Sequence, residues 1–366
     1  MNESRLFTPI KIGNMLLNHR VAMAPLTRLR ATHDRTPTPL MKEYYTQRAS
    51  VPGTLIITEG TIIAPSASGG FAYTPGFWSK EQVSAWKLIT DEVHRKECFI
   101  LCQLFAMGRA AEPAIAASEG LDVVGPSPIR FQDGALPRAM TVEEVQQSIR
   151  DFAEAAKNAI EAGFDGVEVH GANGYLIDQF IQDVSNKRDD DYGGNIANRS
   201  RLLFEILGAV IGAIGKEKVG LRLSPWSTFQ GMKMHDPIPQ FSSIVHSANK
   251  LELAYLHLVS PRISGAEDHN PSDNETLDFA MAIFHGPLLI AGGFNAASAR
   301  ELVDESFPKR DIVVVFGRHF LANPDLVHRL KEGVDLNKHN RKTFYVAGSA
   351  EGYVDYPFSE KFAQVK

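Results

Sequence analysis

The feature that most constrains this chain is a series of eight short apolar runs, each followed by a longer stretch with helical periodicity. The runs are rich in Val, Ile and Leu and nearly continuous rather than alternating, which is typical of strands covered on both faces. They occupy residues 20–25, 53–60, 98–105, 163–171, 218–224, 254–260, 286–293 and 311–318. Eight strand–helix units in 366 residues predict an α/β fold, a (β/α)8 TIM barrel.

The segments between the runs complete this prediction. Thr141 and Glu144 form a capping-box pattern at the start of a helix that Gly163 is placed to end, and further helices are predicted over 199–214 and 296–304. Residues 6–20 predict an N-terminal hairpin that plugs the bottom of the barrel. Residues 106–140, rich in Gly, Pro and Ala, are too long for an ordinary loop and predict a lid or capping insertion after the third strand. With no linker or low-complexity tract, we expect a single domain over residues 1–366.

Composition and cysteine spacing exclude several classes of protein. An apolar fraction of 44% and a net charge of −5 are typical of a soluble protein and favour neither nucleic acid nor an anionic membrane as a partner. Cys98 and Cys102 would lie roughly 13 Å apart on one strand, too far for a disulfide. Free thiols, no signal-like N-terminus and no run of about 18 apolar residues favour a cytoplasmic location. No Cys/His set has metal-ligand spacing, so we expect no metal site.

Glycines after the last two predicted strands indicate a phosphate site. In a barrel of this kind the active site lies at the carboxyl ends of the strands. Gly293 and Gly317 stand at two of those ends, where small residues expose backbone N–H groups to an anion. Arg318 follows directly and can add a bidentate contact. The glycines could also simply end their strands, but together with the arginine they favour a bound phosphate.

Side chains at the ends of the first, third and fifth strands suit a flavin ring. Arg222, at the end of the fifth strand, would stabilise negative charge on a reduced ring. Gln103 and Thr27 could pair with the donors and acceptors of its pyrimidine edge.

Three polar residues follow the fourth strand within six positions: His170, Asn173 and Tyr175. The imidazole and the amide can bind and polarise a carbonyl oxygen, and the phenol can deliver a proton. The alternative is structural: a core histidine, a turn-forming asparagine before Gly174 and a packing aromatic.

The motifs MAPLTR, TEGT, QLF, VEVHGANGYLIDQF, RDDDYGGNIANRSR, GLRLSPW and VVFGRHFLANPDLV, in this order, resemble the Old Yellow Enzyme family of FMN-dependent ene-reductases over residues 5–358. The closest resemblance is to the fungal branch, which includes chanoclavine aldehyde reductases. The resemblance implies tightly bound, non-covalent FMN, with NADPH as the reductant. It also implies ping-pong reduction of an activated C=C bond in an enone or enal, in a monomer or homodimer.

The resemblance also implies roles for single residues. His170 and Asn173 would hold the substrate oxygen and Tyr175 would protonate the α-carbon. Tyr345 would line the substrate pocket, as would Phe105, where many relatives carry Trp. The residues implied for FMN binding are Pro25, Leu26, Thr27, Gly60, Gln103, Arg222, Gly293, Gly317 and Arg318.

Two other functions fit the same residues. Glu168 and His170 alternate on one strand and so face the same side, which would suit a flavin-free barrel lyase or isomerase with this acid–base pair. Alternatively, the protein could bind flavin and substrate without turnover.

Overall fold

The fold is a closed barrel of eight parallel strands. A computed structural model describes residues 4–131, 134–265 and 267–365 of the chain. Each barrel strand pairs with the next one along the chain, and the last pairs with the first, so the sheet closes. The strands, numbered β1 to β8, are Val21–Met23, Leu55–Ile57, Phe99–Phe105, Gly166–Gly171, Val219–Leu223, Tyr255–Val259, Leu288–Ala291 and Ile312–Phe316. The predicted (β/α)8 barrel is therefore confirmed.

Helices surround the barrel, one after each strand. Those numbered α1 to α8 are Pro39–Arg48, Lys80–Arg95, Val142–Glu161, Ile196–Ile214, Pro237–Lys250, Asp278–Ile283, Ala296–Glu301 and Leu326–Glu332. Further short helices are Pro113–Ser118, Leu176–Ile181, Arg318–Ala322 and Glu360–Val365. Single 3-10 turns lie at Arg5–Phe7, Pro65–Ala67, Gly108–Ala110, Lys216–Lys218, Phe229–Gly231 and Arg341–Thr343.

The predicted capping box forms at the start of α3. The Thr141 hydroxyl accepts from the Glu144 backbone N–H at 3.2 Å, and the Glu144 carboxylate accepts from the Thr141 N–H at 2.7 Å. The helix predicted over 199–214 begins earlier, at Ile196, because the Asn195 side chain caps it. The helix predicted over 296–304 ends at Glu301 and continues as a wider π turn.

The predicted hairpin closes the amino-terminal end of the barrel. Its strands, Ile10–Ile12 and Met15–Leu17, are antiparallel and joined at Gly13, whose φ of +55° is a left-handed conformation that suits glycine. Apolar hairpin side chains, including the fully buried Ile12 and Leu17, pack into the barrel interior.

Alternation along the strands separates an inner from an outer layer. On β3, Ile100 and Cys102 belong to the large cluster between barrel and helices, whereas Leu101 belongs to the inner cluster. Towards the carboxyl ends the inner positions become polar, with Gln103 on β3 and Glu168 on β4, both buried. This change from apolar to polar positions the candidate site at the upper end of the barrel.

The insertion 106–140 is anchored to neighbouring loops. Its short strands Val124–Gly125 and Arg138–Ala139 pair in parallel. The Arg109 guanidinium donates to the Gln230 carbonyl at 3.1 Å, and Arg188 donates to the Met140 carbonyl at 2.6 Å. The segment thus contacts the loops that follow β4 and β5; its role as a cap or a lid stays a prediction.

The remaining short strands are Thr61–Ile62, beside β3, and the pair Ile263–Ser264 and Glu267–Asp268, which follows β6. Across the described ranges we find no helix with the length and apolar character needed to cross a bilayer.

Candidate active site

A buried carboxylate forms the floor of the site. Glu168, at 0% exposure, accepts hydrogen bonds from the Gln103 amide at 2.7 Å, the Tyr255 hydroxyl at 3.0 Å and the His257 Nδ1 at 2.8 Å. Burial raises the pKa of Glu168, but His257, Arg222 and Gln103 together lower it to about 2. The carboxylate is therefore ionised, surrounded by donors and too weak a base for the flavin-free alternative.

Arg222 stands above this floor between two histidines. The strand register places it beside His170 on β4 and His257 on β6. The guanidinium is buried, its Nε has no partner, and none of its nitrogens hydrogen-bonds to a described residue. Burial lowers its pKa, and the charge of Glu168 opposes this effect. Such a cation has its donors free for a ligand that carries negative charge.

His170 is the next-to-last residue of β4, and Asn173 lies in the tight turn that follows. The Ala172 N–H donates to Nδ1 of His170 at 3.2 Å, so the proton of the neutral ring lies on Nε2. Burial and Arg222 lower the pKa of His170 to about 3, which keeps the ring neutral. Asn173 adopts a left-handed φ of 56°, its backbone N–H donates to the Ser224 hydroxyl at 2.8 Å, and its side-chain amide makes no hydrogen bond to a described residue.

Tyr175 lies against the same histidine. The two ring centroids are 5.1 Å apart, and the Phe105 ring stands 5.0 Å from that of Tyr175. Burial and Tyr345 raise the pKa of Tyr175 to about 12, against the opposing effects of Gln230 and Arg222. The structure thus brings together His170, Tyr175 and Phe105, and Tyr345 lies within electrostatic range of Tyr175.

Gly60 packs against this aromatic group. A Cβ at Gly60 would lie 2.9 Å from the Phe105 ring. A side chain at position 60 would therefore displace Phe105.

A second group of residues lies at the ends of β7 and β8. A Cβ at Gly317 would lie 3.4 Å from the side chain of Leu26, and one at Gly293 would lie 3.8 Å from the Asp268 carboxylate. Arg318 forms a two-armed ion pair with that carboxylate. Leu26, Gly293, Gly317 and Arg318 are therefore neighbours, as a phosphate site requires, and Asp268 is a member that the sequence did not predict.

Pro25 is buried and Thr27 half-buried beside Leu26, after β1. The Thr27 hydroxyl makes no hydrogen bond to a described residue. It is free for a ligand at this wall of the barrel mouth.

Comparison with known proteins settles the family. Residues 5–337 match the family described as NADH:flavin oxidoreductase / NADH oxidase. The chain belongs to this flavin oxidoreductase family. It is 47% identical to chanoclavine-I aldehyde reductase fgaOx3 of Penicillium roqueforti, over 98% of both chains. It is 48% identical to a probable inactive reductase, easA, of Epichloe festucae var. lolii, over 99% of this chain and 97% of the relative.

Solved structures agree with this assignment. Old Yellow Enzyme from Pichia sp. AKU4542 superposes with a TM-score of 0.90 at 38% identity, covering 98% of this chain and 94% of the other. Morphinone reductase in complex with tetrahydroNAD superposes with a TM-score of 0.89 at 36% identity, with 98% of both chains covered. The protein is thus an FMN-dependent oxidoreductase of the Old Yellow Enzyme type.

The described residues fit FMN. The unpartnered Arg222 guanidinium is a donor set for the electron-rich edge of a flavin. Because the amide nitrogen of Gln103 is engaged by Glu168, its carbonyl oxygen remains to accept from a ring N–H.

The sequence did not predict the network below the ring site. Glu168 lies on β4, and Tyr255 and His257 lie on β6. The sequence pattern that could have identified them is a polar residue at every second position of an otherwise apolar strand. That periodicity identifies inward-facing positions but cannot show which of them share a hydrogen bond.

Proposed function

We propose that this protein uses NADPH to reduce the activated C=C bond of an α,β-unsaturated carbonyl compound by a ping-pong cycle. One observation carries the proposal: a neutral imidazole and a protonated phenol lie in ring contact beside a buried, unpartnered arginine, and the Asn173 amide in the turn between them has no hydrogen-bond partner among the described residues. Donors that polarise an oxygen, beside a separate proton source, suit net addition of H2 across a conjugated double bond.

His170 and Asn173 would hold the substrate oxygen. The Nε2–H of His170 is fixed as a donor by the backbone bond at Nδ1, and its low pKa keeps the ring from titrating near neutral pH. The Asn173 amide supplies the second donor, from a turn that Ser224 holds. Two fixed donors at one oxygen would stabilise the enolate-like charge that forms as the β-carbon is reduced.

Tyr175 would supply the proton to the α-carbon. Its raised pKa keeps the phenol protonated across the physiological range, so it is always ready as an acid. Its ring is packed against His170 and Phe105, which fixes the hydroxyl relative to the bound oxygen.

FMN, when bound, supplies the hydride acceptor and donor. Pro25, Leu26, Thr27, Gly60, Gln103 and Arg222 would hold its ring, and Gly293, Gly317 and Arg318 its phosphate. Arg318 would exchange the Asp268 carboxylate for the phosphate, since both are anions that suit its planar fork.

Relatives support a role for the pocket in both half-reactions. Morphinone reductase binds tetrahydroNAD, and the relative from Penicillium roqueforti is named for reduction of chanoclavine-I aldehyde. We infer that NADPH and an enal or enone occupy the pocket in turn, in a cytoplasmic monomer or homodimer that serves fungal secondary metabolism.

The experiment is a two-step absorbance assay on the purified holoenzyme. We expect a yellow protein that bleaches with NADPH under anaerobic conditions and regains its colour with 2-cyclohexenone. A colourless protein would contradict flavin binding. A yellow protein that NADPH bleaches but 2-cyclohexenone does not reoxidise would show that it resembles its inactive relative instead.

A variant separates the proton donor from the rest of the site. Tyr175→Phe should keep the rate of flavin reduction and lose about 10²- to 10⁴-fold in enone turnover, because only the proton is removed. The control is Tyr192→Phe, which removes another phenol of raised pKa, bound to Glu205 away from the site. Unchanged turnover in Tyr175→Phe would remove Tyr175 from its assigned role.

A further inference from the structure

Two buried arginines directly follow the segment 25–27 that is predicted to line the flavin, and neither has a role in the proposed chemistry. Arg28 and Arg30 come just after Pro25, Leu26 and Thr27, and their exposures are 1% and 0%. Neither guanidinium forms an ion pair with any carboxylate of the described residues. One buried carboxylate, Glu59, accepts from the Arg28 backbone N–H at 3.2 Å and attracts both guanidinium groups, but without a direct ion pair. Other contacts must therefore offset much of the cost of removing the two charges from water.

Backbone carbonyls of one distant segment provide those contacts. Arg28 donates from Nε to the Phe344 oxygen at 3.1 Å and from Nη2 to the Gly352 oxygen at 2.7 Å. Both bonds reach more than 300 residues along the chain.

Arg30 binds the same segment over a wider span. Its donors reach the Phe344 oxygen at 2.8 Å, the Thr343 oxygen at 3.0 Å and the Ser349 oxygen at 3.0 Å, with a longer contact to the Glu351 oxygen at 3.4 Å. The two arginines therefore gather five carbonyl oxygens from residues 343–352, which we call the mouth loop.

Aromatic faces complete the environment of both cations. Arg30 lies 4.8 Å from the Tyr353 ring centroid, and Arg28 lies 5.0 Å from the same ring and 5.9 Å from that of Phe344. Cation–π contacts of this kind stabilise desolvated guanidinium groups. The arginines thus contact the carbonyls of the mouth loop, the ring of Phe344 within it and the ring of Tyr353 directly after it.

The two ends of the mouth loop contact each other where the arginines bind its carbonyl oxygens. Gly352 has a φ of +62°, and a Cβ there would lie 1.9 Å from the Thr343 hydroxyl. The ends of the loop are therefore in contact, as in an Ω-loop. Between these ends lies Tyr345, whose side chain is 54% exposed and whose charge would raise the pKa of Tyr175.

We propose that Arg28 and Arg30 are positioning residues that fix Tyr345 at the mouth of the pocket and so determine which substrates bind well. They also connect residues 25–27, which are predicted to line the flavin, to the mouth loop, because Arg28 directly follows Thr27. The substrate part of this inference rests on the proposed function. The prediction that the arginines hold the mouth loop does not.

Hydrogen exchange tests the structural part without turnover. In Arg30→Lys the charge remains but the five-donor fork is lost, so amides of residues 343–352 should exchange about tenfold faster than in the unmodified protein. Arg28→Lys is the second variant and should act in the same direction.

Another buried arginine provides the matched control. Arg199 has 9% exposure and donates to the Ile181 carbonyl at 3.2 Å, to the Gln240 side-chain oxygen at 3.0 Å and to the Gly194 carbonyl. Arg199→Lys removes a buried guanidinium that binds backbone carbonyls, but none of its printed partners lies in the mouth loop, so exchange over residues 343–352 should not change. Unchanged exchange in both Arg28→Lys and Arg30→Lys, or equal acceleration in Arg199→Lys, would overturn the proposal.

A double-mutant cycle tests whether the effect passes through Tyr345. In the holoenzyme, Arg30→Lys should raise KM for 2-cyclohexenone about tenfold and change kcat and the limiting rate of flavin reduction by less than about twofold. In a Tyr345→Ala background the same substitution should change KM by less than about twofold, because the residue to be positioned is gone. Equal effects in both backgrounds would overturn the role in substrate selection. Absence of turnover in the unmodified protein would instead overturn the proposed function. The exchange comparison would then still test whether Arg28 and Arg30 hold the mouth loop.

Discussion

Glu168 is a buried charge at the centre of the site. Its carboxylate lies under Arg222, accepts from three donors and is ionised because its pKa is lowered to about 2 in spite of burial. The negative charge compensates the buried guanidinium, and the accepted hydrogen bonds orient the Gln103 amide. A fully buried residue therefore balances the charge of Arg222 and orients a neighbouring amide.

Glu168→Gln should lower the free energy of unfolding by about 3 kcal/mol at pH 7, because three donors then face an amide and Arg222 loses its counter-charge. A folded-state pKa of about 2, below the unfolded value of 4.5, means that this stability is present above pH 4.5 and is lost as the pH falls towards 2. Urea unfolding of both proteins between pH 7 and pH 3 measures the difference.

The control for Glu168 is Glu205→Gln, since Glu205 accepts a single phenol hydrogen bond from Tyr192. It should cost less than about 1 kcal/mol. A stability difference for Glu168→Gln that stays constant down to pH 3 would contradict the assigned ionisation.

The sequence located His170 and Arg222 correctly near the carboxyl ends of their strands, because strand ends are fixed by the fold; their roles in binding and catalysis stay predictions. It did not predict Asp268, which reaches Arg318 from a short strand pair after β6. Partners that come from loops depend on loop conformation, which apolar periodicity does not encode.

Among the elements, α3 shows most clearly how local sequence sets a boundary. Its capping box satisfies the first free N–H groups of the helix, and Arg138 of the insertion donates to the same Glu144 carboxylate at 2.7 Å. The end of the capping insertion and the start of the helix are thereby joined at one side chain.

Thr141→Ala should lower the free energy of unfolding by about 1 kcal/mol, because it removes the acceptor for the Glu144 N–H. The control is Thr46→Ala in α1, where the hydroxyl only bonds back to the Lys42 carbonyl within the helix. That change should stay within about 0.5 kcal/mol. Denaturant midpoints of the two variants decide the matter, and equal values would contradict a capping role.

The barrel strands were predictable because both of their faces are buried, which gives continuous apolar runs. Short elements such as Leu176–Ile181 and Pro113–Ser118 were not predicted. Six residues are too few for a helical period to be distinguished from chance, and tertiary contacts such as the bond from Gln179 to the Met107 carbonyl at 3.0 Å define the first of them.

At the scale of the whole molecule, the two ends of the barrel have different tasks. The amino-terminal end is sealed by the apolar hairpin, and the carboxyl end carries the polar residues of the site. Changes at the sealed end should therefore affect stability and leave ligand binding unchanged.

Gly13→Ala tests this separation. An added Cβ would lie 2.1 Å from the Glu217 carbonyl oxygen, and the φ of +55° is unfavourable for alanine, so we expect a loss of more than about 2 kcal/mol in the free energy of unfolding. Gly120→Ala has a similar φ of +70° but no atom within 4 Å of the new Cβ, and should show the backbone effect alone, about 1 kcal/mol. FMN affinity measured by fluorescence titration should be the same in both; weakened binding in Gly13→Ala alone would contradict the separation.

The alkylation rates of the two free thiols should report how fast this barrel unfolds. Cys98 and Cys102 are buried, and burial raises their pKa values to about 11 and about 12. Neither sulfur is available to an alkylating reagent until β3 leaves the sheet, so labelling in the folded protein should follow the rate of global unfolding. Mass spectrometry of timed iodoacetamide reactions should find Cys98 and Cys102 modified at the same rate. Fast modification of Cys98 alone would indicate that the start of β3 opens locally without global unfolding.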